Sequence, residues 1–320
     1  MKNSSLYYSV GPLLYCPANN RTITHSIINE QFGNNFSLAL CLEDTIQDNS
    51  IEEAEQILIN SINTLYKEKE NTAFFLPKIF VRIRNTNQLL RLNEAFKNTP
   101  DIVKGFILPK FSLDNADKYI ETIIKINESA INPIYTMPIY ESSSIIDLRT
   151  RYDILYALKD KLKRIEELVL NIRVGGNDLC HAFGFRRHSN ESIHKLKPIS
   201  QIFSDIITVY GMDYVISGPV WEYYNGENWL EGLKNELIDD KLCGFIGKTV
   251  IHPKQINAVN ENYMVDVLDV DDAKAILNWD KNTRSLVSGN TAAERMNEYK
   301  THSNWALQTL LQAEAYGIII

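Results

Sequence analysis

The sequence lacks a surplus of positive charge and a long apolar run. Of its 320 residues, 33 are lysine or arginine and 40 are aspartate or glutamate, which gives a formal net charge of −7. Such a chain has no broad positive field to attract a polynucleotide, so nucleic acid is excluded as the main expected partner. No apolar stretch is long enough to cross a bilayer, and we therefore expect no membrane partner either.

Cysteine is also scarce, and the four cysteines are scattered: Cys16, Cys41, Cys180 and Cys243. They form no CxxC pair, and three lie in or beside apolar runs, as is typical of small core residues rather than zinc ligands or disulfide partners. Unpaired cysteines fit a reducing compartment. The first eight residues contain no long apolar stretch, so no signal peptide is expected. These features predict a cytoplasmic protein.

Apolar runs of strand length alternate with longer helical patterns, which predicts βα units and a parallel sheet. The eight runs are residues 13–17, 37–42, 79–83, 105–109, 133–140, 168–174, 214–218 and 248–252. The helical patterns cover residues 52–66, 115–127, 142–165, 191–210 and 229–242. A doubly wound open sheet is the alternative, but it would carry a glycine-rich turn after an early strand, and residues 17–20 read Pro-Ala-Asn-Asn. The fold class is therefore α/β, as a (β/α)8 TIM barrel.

The final stretch of about 65 residues exceeds the usual size of such a barrel. We predict a TIM-barrel catalytic domain over residues 1–255 and a C-terminal helical extension over residues 256–320. Helices are expected at 271–279 and 297–316, with a polar stretch at 285–293 between them. We expect the extension to pack on the barrel or on a neighbouring subunit.

Charged residues follow several predicted strands, at the carboxyl-terminal rim where a barrel carries its active site. In strand order they are Glu43 and Asp44, Arg82 and Arg84, Lys110, Glu141, Asp178 and His252. Each alone has a structural explanation, such as a helix cap or a local ion pair. Two carboxylates at one rim, however, are a common means of holding a hard divalent cation. Glu141 and Asp178 are the candidates, because each follows a predicted strand at a matching position.

Short motifs along almost the whole chain resemble the citrate lyase β-subunit/malyl-CoA lyase superfamily. They are residues 14–18 (LYCPA), 42–44 (LED), 81–83 (VRI), 108–110 (LPK), 176–179 (GNDL) and 251–256 (IHPKQI). Residues 296–302, followed by Trp305-Ala306, resemble a divergent branch of carbon–carbon bond lyases of the TIM-barrel fold.

The resemblance implies a Mg²⁺ site formed by Glu141 and Asp178, with Arg82 gripping a substrate carboxylate. It also implies that Glu43 and Asp44 hold metal-bound waters or orient Arg82. Family subunits usually assemble as trimers or hexamers, so a homo-oligomer is expected.

Further candidate residues extend this site. Lys110 would add positive potential beneath an enolate, and Glu298 of the extension is a candidate general base. Pro17, Asn19 and Arg84 are the remaining candidates for substrate binding.

The implied activity is a Mg²⁺-dependent lyase of aldol or Claisen type that acts beside a small oxoacid or hydroxyacyl group through an enolate. A coenzyme A thioester is one form that the substrate could take. Cys41 stands where the superfamily carries an acid, and the third strand reads Arg-Ile-Arg where an asparagine is usual at the third position. Two alternatives stay open: thioester hydrolysis at the same site, and a non-catalytic binding barrel, which the change at Cys41 favours.

Overall fold

The central feature of the computed structural model, which describes residues 2–280, 285–290 and 293–319, is an eight-stranded parallel sheet. Its strands are β1 Pro12–Pro17, β2 Ser37–Cys41, β3 Lys78–Arg82, β4 Val103–Leu108, β5 Tyr135–Tyr140, β6 Ile172–Val174, β7 Ile216–Ser217 and β8 Lys248–Val250. They lie in chain order from β1 to β7, β8 pairs with β1, and a bridge between Gly218 and Lys248 joins the two ends. The sheet thus closes into a barrel, and the predicted TIM-barrel fold is confirmed.

The helices up to residue 263 alternate with these strands and cover the outside of the barrel, and the last two helices belong to the C-terminal segment. They are α1 Ile23–Ile28, α2 Ile51–Asn71, α3 Thr86–Ala95, α4 Ala116–Asn127, α5 Arg151–Leu162, α6 Gly176–Phe183, α7 Lys197–Tyr210, α8 Trp229–Cys243, α9 Ile256–Tyr263, α10 Val267–Leu277 and α11 Tyr299–Tyr316. The helix α2 shows why: Ala54, Leu58, Ile62 and Leu65 recur at helical spacing and are fully buried. Such a stripe gains its stability by packing against the sheet.

The segment predicted as one long helix, residues 142–165, is divided in the structure. It contains a 3₁₀ turn at Ser143–Ile145, then α5, then a second 3₁₀ stretch at Lys163–Leu168. Ser142 accepts a hydrogen bond from the backbone of Ser144, and such local serine bonds compete with a helix. Buried Arg151 then donates to the carbonyl oxygens of Ile145 and Ile146 at 2.6 and 2.8 Å. These bonds fix the turn before α5 begins.

The C-terminal segment packs against the amino-terminal end of the barrel. Leu311 of α11 belongs to a buried cluster with Tyr8 and Val10, which precede β1, and with Leu13, the second residue of that strand. Four short strands accompany it: β9 Val265–Asp266, β10 Val287–Gly289, β11 Met296–Glu298 and β12 Ile318–Ile319. They pair as β10 with β11 and β9 with β12. The extension therefore covers the end of the barrel opposite to the carboxyl-terminal rim.

Helix α9 follows β8 and packs against α8 and β1, the position of an eighth barrel helix. The boundary at residue 255 separates β8 from this helix, and it stays a prediction. Among the residues that the structure describes, no helix combines the length and apolarity needed to span a bilayer.

Candidate active site

A cavity of about 420 Å³ opens at the carboxyl-terminal end of the barrel. The polar and charged side chains that line it include Tyr15, Arg82, Glu141, Arg173, Asp178 and Thr249. Pro17 and Asp44 also line it. A second cavity, of about 370 Å³, lies beside α3 and is lined by Phe96, Val103 and Ile126 among others. The first cavity is the candidate site because acids and bases converge there.

Arg82, the last residue of β3, is 7% exposed and bonds to three carboxylates through one nitrogen. Its Nη2 lies 2.8 Å from Glu43 Oε2, 3.0 Å from Asp44 Oδ2 and 3.1 Å from Glu141 Oε1. Lys110 adds a second base, with Nζ 2.6 Å from Glu43 and 3.2 Å from Asp44. We refer to Glu43, Asp44, Arg82, Lys110 and Glu141 as the rim cluster. Protein carboxylates thus already occupy the arginine that was expected to grip a substrate.

Glu141 follows β5 and is 6% exposed, and the backbone N–H of Lys110 donates to its Oε1 at 2.9 Å. Burial raises the pKa of Glu141 to about 7; Arg82 opposes the shift, whereas the negative charge of Asp178 increases it. Asp178 lies in the first turn of α6 and lines the same cavity. The structure therefore brings together the two acids that the sequence selects.

A glycine makes room for this pair. A Cβ atom at Gly175 would lie 2.2 Å from Oε2 of Glu141, so every larger residue would displace that carboxylate. Gly175, the residue before α6, is thus a requirement of the acid site.

The residues present fit a hard divalent cation. Three bases line or border the cavity, Arg82, Lys110 and Arg173, against four acids, Glu43, Asp44, Glu141 and Asp178, so one negative charge is in excess when all the acids are ionised. Over the described part of the chain, no three His, Cys, Asp or Glu residues form a protein-only cage. Mg²⁺ does not need one, because it binds through one or two carboxylates and completes its shell with water and substrate.

Two predicted substrate-binding residues lie outside the cavity. Arg84 donates to the carbonyl oxygens of Leu42 and Glu43, at 2.8 and 3.2 Å, and pairs with Asp48. It therefore fixes the loop between β2 and α2 rather than facing a ligand. Asn19 is exposed in the turn after β1 and does not line the cavity, although Pro17, two residues earlier, does.

Glu298, the predicted base, lies at the start of α11 and accepts a hydrogen bond from Thr301 Oγ1 at 2.6 Å. It does not line the cavity of its own chain. A role for Glu298 would require a neighbouring copy and stays a prediction. His252 stacks on Tyr224 at 4.6 Å and accepts from the backbone of Lys254, which is a structural role.

The cavity residues to which the sequence assigns no role include Tyr15, Arg173 and Thr249. Arg173 and Asn171 alternate with the apolar Leu170, Ile172 and Val174. Polar residues at every second position of an otherwise apolar strand indicate one polar face. That alternation is the signal that could have assigned Arg173 to the barrel interior.

Residues 4–318 match the family described as C–C bond lyase of the TIM-barrel fold, so the chain belongs to this family. A search of curated proteins finds no match. Among solved structures, CitE from Mycobacterium tuberculosis in complex with magnesium, acetoacetate and coenzyme A is 18% identical, with a TM-score of 0.62 over 96% of this chain and 99% of that one. A citrate lyase from Burkholderia xenovorans is 13% identical, with a TM-score of 0.70 over 97% of this chain and 93% of that one. These structures are similar in fold.

Proposed function

We propose that this carbon–carbon bond lyase cleaves or forms a bond beside a small oxoacid or hydroxyacyl group, with Mg²⁺ held by Glu141 and Asp178. The observation that carries the proposal is the convergence of these two acids on one cavity beside Arg82. Their separation in sequence is bridged by β5, β6 and the turn into α6, as a barrel rim requires. When bound, Mg²⁺ would supply a Lewis acid for negative charge that develops on substrate oxygens.

Similar solved structures support the choice of ligand class. The structure of CitE from Mycobacterium tuberculosis is described with magnesium and pyruvate, and with magnesium, acetoacetate and coenzyme A. For this chain an oxoacid is the expected small ligand. Coenzyme A remains one candidate carrier for the rest of the substrate.

The rim cluster holds Glu141 in position. Arg82 pairs with Glu141 at 3.1 Å and favours its ionised form, in which a carboxylate can bind a cation. Glu43 and Asp44 contact the same nitrogen of the guanidinium and fix its position further. The main role of Arg82 is thus to position Glu141. The predicted contact between Arg82 and a substrate carboxylate is proposed as a secondary role. Lys110 offsets the charge of Glu43 and Asp44.

A product assay tests the proposal. The protein is incubated with a panel of β-hydroxyacyl thioesters and free β-hydroxy acids, with Mg²⁺ or with EDTA, and the products are identified by mass spectrometry. We expect carbon–carbon cleavage that requires Mg²⁺. Free acid released without loss of carbon atoms would instead support the thioester hydrolase alternative.

Asp178→Asn is the matched variant, because it keeps the shape of the side chain and removes one charge. We expect it to abolish Mg²⁺ binding measured by calorimetry, together with cleavage. Asp160→Asn, on the exposed side of α5, is the control and should bind and cleave like the wild type. Cleavage that survives both EDTA and Asp178→Asn would contradict the metal role, and absence of Mg²⁺ affinity in the wild type would support the non-catalytic barrel.

A further inference from the structure

Arg173 is a second arginine in the cavity, and its surroundings differ from those of Arg82. It lies on β6 and is 2% exposed. Its Nη2 donates to Thr249 Oγ1 at 2.5 Å, and its Nη1 reaches Asn171 Oδ1 only at 3.5 Å. Its Nε has no hydrogen-bond partner in the described part of the chain. None of the described carboxylates forms an ion pair with it, whereas three surround Arg82.

A buried guanidinium without a counter-charge is unfavourable, because it has lost water and gained no acid in return. Burial accordingly lowers the pKa of Arg173. Arginine nevertheless keeps its proton, since its ordinary pKa is far above neutrality. The side chain therefore offers a fixed positive charge and an unused N–H to whatever enters the cavity.

The neighbours of Arg173 are hydrogen-bonding groups. Tyr15, on β1, is close to both arginines: its ring is 6.0 Å from the Arg82 guanidinium, and burial raises the pKa of its hydroxyl while the charges of Arg173 and Arg82 oppose that shift. Thr249, on β8, also lines the cavity. Arg173, Tyr15 and Thr249 thus form a floor that can bind an anion, and we call them the floor subsite.

The register of the sheet sets the depth of this subsite. Ile139 pairs with Arg173 and Tyr140 with Val174, so Glu141 is level with Gly175, two residues nearer the rim. Two strand residues span about 6.6 Å, and they place both side chains on the same face. The acids thus lie above Arg173 by roughly the length of a short dicarboxylic acid.

We propose that the floor subsite binds a second anionic group of the substrate, so that the substrate carries one anionic end at Glu141 and Asp178 and another at Arg173. The inference rests on the proposed function, because the acids must hold a cation for the first end to bind there. In this proposal Arg173, rather than Arg82, binds the substrate carboxylate, because Arg82 is already paired with three acids. The substrate class is then a dianionic oxoacid rather than a monoanionic one.

Matched ligand pairs test this assignment. The pairs are oxaloacetate against 2-oxobutyrate and 2-oxoglutarate against 2-oxovalerate, in which a carboxylate is replaced by a methyl group at constant chain length. Affinities are measured by calorimetry at saturating Mg²⁺. We expect the wild type to bind the dianion of at least one pair about tenfold more tightly or better, as a charge-assisted hydrogen bond supplies.

Arg173→Met should remove this preference while leaving the affinity for the monoanion unchanged. Thr249→Val, a milder change, should reduce the preference in part, and it keeps the test available if Arg173→Met does not fold. Arg91→Met, on the surface of α3, is the control and should behave like the wild type. A purely structural role for Arg173 would change both members of a pair equally.

The outcomes separate the two proposals. If the wild type binds all four ligands with Mg²⁺ but prefers neither dianion, or if Arg173→Met keeps the preference, the floor subsite is wrong and the proposed function stands. If no ligand binds in a Mg²⁺-dependent way, the proposed function fails and the subsite with it.

Discussion

In the described part of the chain, the rim cluster contrasts with a second charge cluster that does not line the candidate cavity. The rim cluster surrounds Arg82 and opens toward Asp178. The second, which we call the wall cluster, lies between β8, α8 and the segment before α7. It consists of Arg187, His194, Glu236, Asp240 and Lys248.

The wall cluster is closed and balanced. Lys248 Nζ lies 2.9 Å from Glu236 and 2.6 Å from Asp240, and all three side chains are fully buried. Arg187 and His194 complete the pairing of Glu236 and Asp240, at 3.1 and 2.7 Å. Although burial would raise the pKa of Asp240, Lys248 and His194 lower it. In the rim cluster the pKa of Glu141 is raised instead. The two clusters both contain buried charges, and they differ in that the rim cluster has more acids than bases beside a cavity. That excess of acid, rather than the burial of charge, is the feature that indicates a functional site.

The largest effect on stability should come from breaking the wall cluster. Lys248→Met leaves two buried carboxylates without their shared base, and we expect the free energy of unfolding to fall by about 3–5 kcal/mol. Urea denaturation monitored by circular dichroism measures it. Lys163→Met, at an exposed ion pair, is the control and should leave the midpoint unchanged. A loss of unfolding free energy no larger than that of the control would mean that the wall cluster does not stabilise the fold.

The pH dependence of the metal-free protein probes the rim cluster. Because the pKa of Glu141 is raised to about 7, the folded state binds a proton that the unfolded chain releases near its ordinary pKa. This contribution is complete below about pH 4.5 and is lost as pH rises through 7, by as much as about 3 kcal/mol. In EDTA, the free energy of unfolding of the wild type should therefore decline between pH 5 and 7 by an amount of this size. The Glu141→Gln variant should not show this decline. Identical profiles for the two proteins would contradict the assignment.

The smallest stability effect should come from Asp178, a half-buried acid that lines the cavity. In the metal-free protein, Asp178→Asn removes the repulsion from Glu141 and leaves no buried base unpaired, so we expect the free energy of unfolding to change by less than about 0.5 kcal/mol or to rise. The same variant should lose activity by a factor of about 100 or more, as for a group that stabilises developing charge. A large loss of stability would make Asp178 a structural residue like Asp240.

The barrel and the acid pair could be predicted from the sequence because both depend on local patterns. Each predicted run overlaps a strand; Glu141 directly follows one of these strands, and Asp178 lies four residues after another, in the first turn of α6. Arg82 and Arg84 could not be distinguished in this way, since residues two apart share one face of a strand. The strand ends at Arg82, the chain then turns, and Arg84 points into the β2–α2 loop.

The interior of the barrel was harder to predict. Barrel strands are covered on both faces, so an apolar run does not reveal which residues point inward. Arg173 is an exception, because its alternation with Ile172 and Val174 indicates an inward position, although the run as a whole predicts only a strand. The contact of α11 with the amino-terminal strand ends joins residues about 300 positions apart, and no local pattern encodes such a contact.

Among the described residues, helix α11 and the residues packed beneath the strands close the amino-terminal end of the barrel, and the cavity opens at the carboxyl-terminal end. Leu311, Tyr8 and Val10 fill the other end of the barrel. A molecule that enters must leave by the route that admitted it. In such a blind chamber, a fragment bound at the floor can depart only after the fragment above it, and in the reverse direction it must arrive first. The closed amino-terminal end of the barrel thus determines the order in which substrates bind and products leave.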